Sequence, residues 1–151
     1  MNIPANQDNE YRALSVLAIA MIMGILLFSM VAIVVHYSSG QFMKERNLMN
    51  LFLVIVILLG TIVIIAARII YKKRVNNIKV SLGTNKEKMD SFRAMTVIHM
   101  ALCEMPALLS IICFMLFGNF LFFLVVLMAL AEMANKFPYK RSVDEIINPG
   151  F

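Results

Sequence analysis

Residues 96–117 read TVIHMALCEMPALLSIICFMLF. Crossing a hydrocarbon layer of ~30 Å takes ~20 mostly apolar residues, and this run is long enough. Its middle carries Glu104, with Pro106 two positions further on. An ionisable group at the centre of a span costs at least ~2.5–3.5 kcal/mol on insertion scales, so it usually faces a helix bundle or a partner. This stretch therefore points to a helix in a bilayer and supplies the leading candidate for a functional group.

The remaining composition agrees. The chain has 151 residues, 61% of them hydrophobic, where a soluble domain has ~45–50%. The apolar residues fall in runs nearly free of charge, over about 13–36, 48–70, 94–117 and 120–135. A loop over 72–93 and a tail over 136–151 account for most of the rest, leaving no room for a separate soluble domain. The expected fold is all-α: a polytopic membrane protein, one membrane domain of four transmembrane helices in an antiparallel bundle.

The first apolar run follows a polar tail that lacks a basic n-region. It is longer than a signal peptide's ~7–15-residue core and has no small-residue cleavage site, so it is expected to stay as the first span. Tyr11 and Tyr37 bracket it as interfacial anchors do. Ala20 and Gly24 form a small-xxx-small pair that would let another helix approach, although chance in an Ala-rich helix explains them equally well. His36, at the boundary, is expected to be a solvated cap residue.

Arg68 lies just past the uncharged part of the second run, Leu48 to Ala67, and can snorkel outward. Together with Lys72, Lys73 and Arg74 it is expected to meet lipid headgroups. Thr84 and Glu87 form a capping box, so the third helix should begin near Asn85, before the membrane. Gly118-Asn119 suits a helix end and a tight hairpin. Ser142-Val143-Asp144-Glu145 suggests a further short helix before Pro149.

On a helical wheel, one half of the third span holds Thr96, His99, Cys103, Pro106, Ala107 and Ser110, with Glu104 at its edge. The other half holds Met95, Ile98, Leu102, Met105, Leu109, Ile112 and Leu116. The polar half should face the bundle and the bulky half lipid. Pro106 frees the carbonyl of Leu102, to which Glu104 in its acid form could donate a hydrogen bond. Glu104 is thus the candidate proton or ion carrier, supported by His99, Cys103, Pro106 and Ser110, or else a hydrogen bond that joins helices. The second reading is preferred, because no other intramembrane charge lies at the same depth. Glu132 is expected to pair with Lys136 one turn on.

Cys103 and Cys113 lie ~15 Å apart on one helix, too far for a disulfide, and are read as packing residues. No metal-ligand spacing, paired carboxylates or activated nucleophile appears, so no catalytic residue, metal, cofactor or enzyme activity is expected. The net charge of +5 resides in juxtamembrane segments and does not indicate nucleic acid.

Residues 93–147 resemble a group of small, uncharacterised bacterial four-helix integral membrane proteins. The shared pattern is Ala-Leu-x-Glu-x-x-Ala-Leu (Ala101 to Leu108 here), then Gly118-Asn119, an apolar helix and a Pro-containing basic tail. The resemblance implies a bacterial inner-membrane location and no particular activity. The second and third spans are also locally similar to the proteolipid c subunit of rotary ATP synthases, where a helix entering from the cytoplasm carries one mid-membrane carboxylate. Here the partner helix has only Gly60 in place of spaced glycines, the loop is longer, and two spans are added.

The expected function is that of a non-enzymatic structural or accessory subunit acting through helix–helix contacts with other membrane subunits or a second copy. The alternative is a small transporter or proton-translocating subunit using Glu104. Eleven basic residues lie in the termini and the middle connection, against Lys44 and Arg46 alone in the first and third connections. The positive-inside rule therefore puts both termini in the cytoplasm. Reporter fusions after Asn135 and within residues 38–47 should report opposite sides of the membrane; the same side for both would overturn this orientation.

Overall fold

In lipid a chain can satisfy its backbone N–H and C=O groups only within a helix or a closed barrel. The apolar runs of this chain fold as helices. The computed structural model describes residues 5–39, 45–81, 83–139 and 143. Helix α1 spans Ala5–Ser39, α2 Arg46–Val80, α3 Asn85–Phe117 and α4 Phe123–Asn135, with a 3-10 turn at Phe120–Phe122 leading into α4. Among the described residues there is no strand. Helices α1, α2 and α3 are long and apolar enough to cross a membrane; Phe120–Asn135 is a shorter apolar helix.

The segment expected as a loop over 72–93 is largely helical. Helix α2 runs on to Val80 and α3 begins at Asn85, leaving only 81–84 as the connection. Apolar residues at helical spacing explain the difference. Ile78 on α2 and Met89, Phe92 and Met95 on α3 form a second small core with Leu14, flanked by Tyr71 and Val75. These basic helix ends carry a buried stripe beneath their charges. Helix α1 likewise starts at Ala5, so the expected polar tail over 1–12 is helical from that point. Of the helix suggested after Ser142 only Val143 is among the described residues, and it is buried in the same second core.

Caps fix the ends of α3. The Thr84 Oγ1 accepts from the Glu87 N–H at 3.4 Å, and the Glu87 carboxylate accepts from the Thr84 N–H at 2.9 Å. At the other end Gly118 takes a left-handed conformation, φ 69°, and its N–H donates to Phe114. Asn119 then caps the 3-10 turn through its Oδ1 and the Leu121 N–H. The Ser110 hydroxyl donates to the Phe122 carbonyl, tying the turn back onto α3.

Helix α3 is the centre of the bundle: half of its most apolar stretch is buried, against 17% for α1 and for α2. Helix α2 runs opposite to α3, with Ala67 beside His99 at one end and Phe52 beside Phe117 at the other. Helix α1 runs in the same direction as α3, with Leu14 in the cluster of Phe92 and the His36 ring tilted against Phe114, so His36 is part-buried among aromatic rings and not the solvated cap expected. It buries a narrow seam of Leu14, Ala18, Ile25, Ser29 and Ala32, flanked by part-buried Met21, Ile22 and Ile33, and leaves large apolar residues such as Leu27, Phe28 and Met30 exposed.

Helices approach closely at Gly60. A Cβ there would sit 2.6 Å from Val125 Cγ1 and 3.6 Å from Pro106 Cβ, so α2, α3 and α4 meet at this point. By contrast, a Cβ at Gly24 would meet nothing within 4 Å. The small-xxx-small pair of Ala20 and Gly24 therefore admits no helix of this chain. Gly60→Ala should lower thermal stability in detergent by roughly 1–3 kcal/mol through overpacking, despite alanine's better helix propensity. Adding Val125→Ala should recover most of the loss, and Gly24→Ala should cause none. A neutral Gly60→Ala variant would contradict this packing.

Candidate functional site

The polar residues of α3 are organised by helical spacing. Thr96, His99, Cys103, Pro106 and Ser110 are buried against the other helices. Of the half expected to face lipid, Ile98, Met105, Leu109, Ile112 and Leu116 are exposed, but Leu102 is part-buried and Met95 is buried in the second core beside Phe92. The buried hydroxyl and imidazole groups of α3 each have a partner. The Thr96 hydroxyl donates to the Phe92 carbonyl at 2.9 Å. His99 Nδ1 lies 3.3 Å from the Ala67 carbonyl oxygen. A hydrogen bond to that carbonyl requires the proton on Nδ1; in the neutral ring Nε2 then keeps its lone pair. Nε2 faces the Cys103 thiol at 3.9 Å. The Tyr71 ring packs against the imidazole, 4.9 Å between centroids.

Glu104 lies on the rim of this face. It is part-buried, between buried Met100, Ala107 and Ile111 and exposed Ala101 and Met105. Among the described residues, nothing forms a hydrogen bond or ion pair with its carboxyl group. His99 is about 140° around the same helix and bonds to α2 instead.

The structure brings together a second set of groups that the sequence did not pair. The Arg68 guanidinium holds the Glu132 carboxylate as a fork: Nε donates to both oxygens at 3.2 Å, and Nη2 donates to Oε2. The Glu132 side chain is 2% exposed and that of Arg68 61%. Lys136, the expected partner of Glu132, instead places its Nζ 5.4 Å over the Tyr71 ring. Helix register explains the exchange. Helices α2 and α4 run alongside each other in one direction from the Gly60–Val125 contact. About two turns on, Arg68 and Glu132 come level. A planar fork also matches a carboxylate better than an ammonium does.

A signal for this pair existed in the sequence. Glu132 shares one face of α4 with Val125 and Ala129, at helical spacing, and that face is buried. An acid on a buried stripe requires a cation from another helix. Arg68, expected at the lipid headgroups, is instead engaged by Glu132, and its exposed flank is open to a headgroup. Lys72, Lys73 and Arg74 are likewise exposed along α2.

Arg68, Tyr71, His99, Cys103, Glu132 and Lys136 therefore form a polar cluster across α2, α3 and α4, toward the 81–84 end. Its groups satisfy one another, which locks helix register. Among the described residues no three His, Cys, Asp or Glu side chains converge to hold a metal. No protein-family model, curated protein or solved structure matches the chain.

Removing one partner leaves the buried Glu132 uncompensated. Arg68→Leu should lower the unfolding temperature, because it leaves the enclosed Glu132 carboxylate unpaired. Arg68→Leu combined with Glu132→Leu should cost less than Arg68→Leu alone. Thermal unfolding of the three proteins in one detergent checks this, and a double variant worse than the single would contradict it.

Proposed function

We propose that the chain is a non-enzymatic integral membrane protein acting as a structural or accessory subunit through helix–helix contacts, with Glu104 as a point where its partner docks. The partner is another membrane subunit or a second copy. The observation that carries this reading is Glu104 itself: part-buried, on the rim of α3, with no protein partner among the described residues. A lone carboxyl in the middle of a span is costly, and a hydrogen bond from a neighbouring helix offsets that cost. The wide apolar surfaces left open on α1 and α2 offer room for such a neighbour.

In this reading all four helices span the inner membrane of a bacterium, with both termini cytoplasmic. The distribution of basic residues supports the orientation. The turn and α4 together cover 16 residues, or ~24 Å if fully α-helical, so they would span with little tilt or in a locally thinned bilayer.

A second reading rests on the same observation. A carboxyl open at the rim of a bundle is accessible to a proton or cation, and Glu104 would then be a carrier. Glu104→Gln separates the two, since the amide keeps hydrogen-bonding capacity and loses titration. For a docking role, self-association or co-purification in mild detergent should survive Glu104→Gln and weaken by ~1–2 kcal/mol in Glu104→Leu. If Glu104→Gln instead abolishes proton flux in proteoliposomes while assembly is normal, the structural reading fails. Carbodiimide labelling of Glu104 suppressed by sodium or high pH would point the same way.

A further inference from the structure

A groove of about 430 Å³ lies between α2 and α3, toward the 81–84 connection. Tyr71 and His99 of the polar cluster stand in its wall, whereas Glu104, Arg68 and Glu132 do not line it. Its lining changes character along its length. Arg74, Asn77, Lys88 and Ser91 line the end near the connection, and Ile98 and Leu102 line the other end. Arg74 and Lys88 come from facing helices, and neither forms an ion pair among the described residues.

We infer that this groove binds one anionic phospholipid, with the phosphate held by Arg74 and Lys88 and an acyl chain lying along Ile98 and Leu102. The occupant follows from the order of the lining. Two unneutralised cations with hydrogen-bonding side chains beside them suit a phosphate and a hydroxylated headgroup. A small free anion would leave the apolar end unfilled. Lys88 to Leu102 spans fourteen residues of α3, or ~21 Å along the axis, the length of a headgroup and much of a chain. Depth agrees as well. The apolar stretch of α2 ends beside Arg68, and Arg74 stands about one and two-thirds turns beyond it, ~9 Å, near the level of the headgroup layer. Ile70 and Ile98 are exposed at the deeper end, so a chain can enter sideways from the bilayer. A zwitterionic headgroup would add an ammonium beside two cations, so an anionic lipid is favoured.

The proposal holds whether Glu104 docks a partner or carries a proton. The test uses the full chain, delipidated in detergent, with native mass spectrometry reading the binding of phosphatidylglycerol and phosphatidylcholine. Arg74→Gln with Lys88→Gln removes both groove cations. Lys79→Gln with Lys86→Gln removes the same charge from exposed positions on the same helices, outside the groove. The expected result is preferential retention of phosphatidylglycerol. The groove variant should weaken that binding about tenfold or more, and the control variant should leave it within a small factor. Ala94→Leu, which fills the groove without changing charge, should also reduce binding. Equal loss in both charge variants would reduce the effect to general surface charge and overturn the site. So would equal binding of phosphatidylcholine, or displacement of the lipid by inorganic phosphate at equal concentration.

Discussion

At Gly60 the bundle depends on the absence of a side chain. Helix α2 comes close enough to α4 that a Cβ would overlap Val125, and the same point lies over Pro106 of α3. In a bilayer, lipid tails satisfy apolar side chains as well as another helix does. What favours helix against helix is therefore close van der Waals fit and hydrogen bonding. Pro106 contributes a flat ring without an N–H at the level where three helices converge. From this crossing the registers propagate: His99 meets the Ala67 carbonyl, Arg68 meets Glu132, and Phe52 packs on Phe117 at the far end.

Two carboxylates in similar helices have opposite surroundings. Glu132 is fully enclosed and forked by Arg68, with Tyr71, His99 and Lys136 nearby. Its charge is answered inside the chain, so it belongs to the architecture. Glu104 is the less buried of the two and has no answering group within the described residues. A satisfied buried ion pair fixes register; an unsatisfied rim carboxyl invites something from outside. The functional question for this protein therefore centres on Glu104, although Glu132 makes the stronger contact.

The long helices α2 and α3 carry the bundle past the thickness of a bilayer. At ~1.5 Å per residue, the 35 residues of α2 measure ~50 Å, against ~30 Å of hydrocarbon. The excess is held together by its own core of Ile78, Met89, Phe92 and Met95 with Leu14. Where these helix ends reach water, burial of apolar surface contributes directly to their association. The groove with Arg74 and Lys88 lies along this transition, where the apolar and charged surfaces of α2 and α3 adjoin.

The sequence by itself determined the helical class, the apolar segments and the ends of α3. Length and hydropathy report a membrane helix directly, and the Thr84 capping box and Gly118 terminus are local chemistry that needs no partner. It also placed His99, Cys103, Pro106 and Ser110 on one face, because helical periodicity is a property of a single segment. It misjudged the extent of α2, where seven basic residues over 72–93 masked the stripe of Tyr71, Val75 and Ile78. Only the tertiary structure decided that Gly60 rather than Gly24 admits a neighbour, and that Arg68 rather than Lys136 takes Glu132. Both depend on which faces meet and at what axial offset. Spacing along one helix constrains neither, because the offset is set by the fit of side chains from different helices.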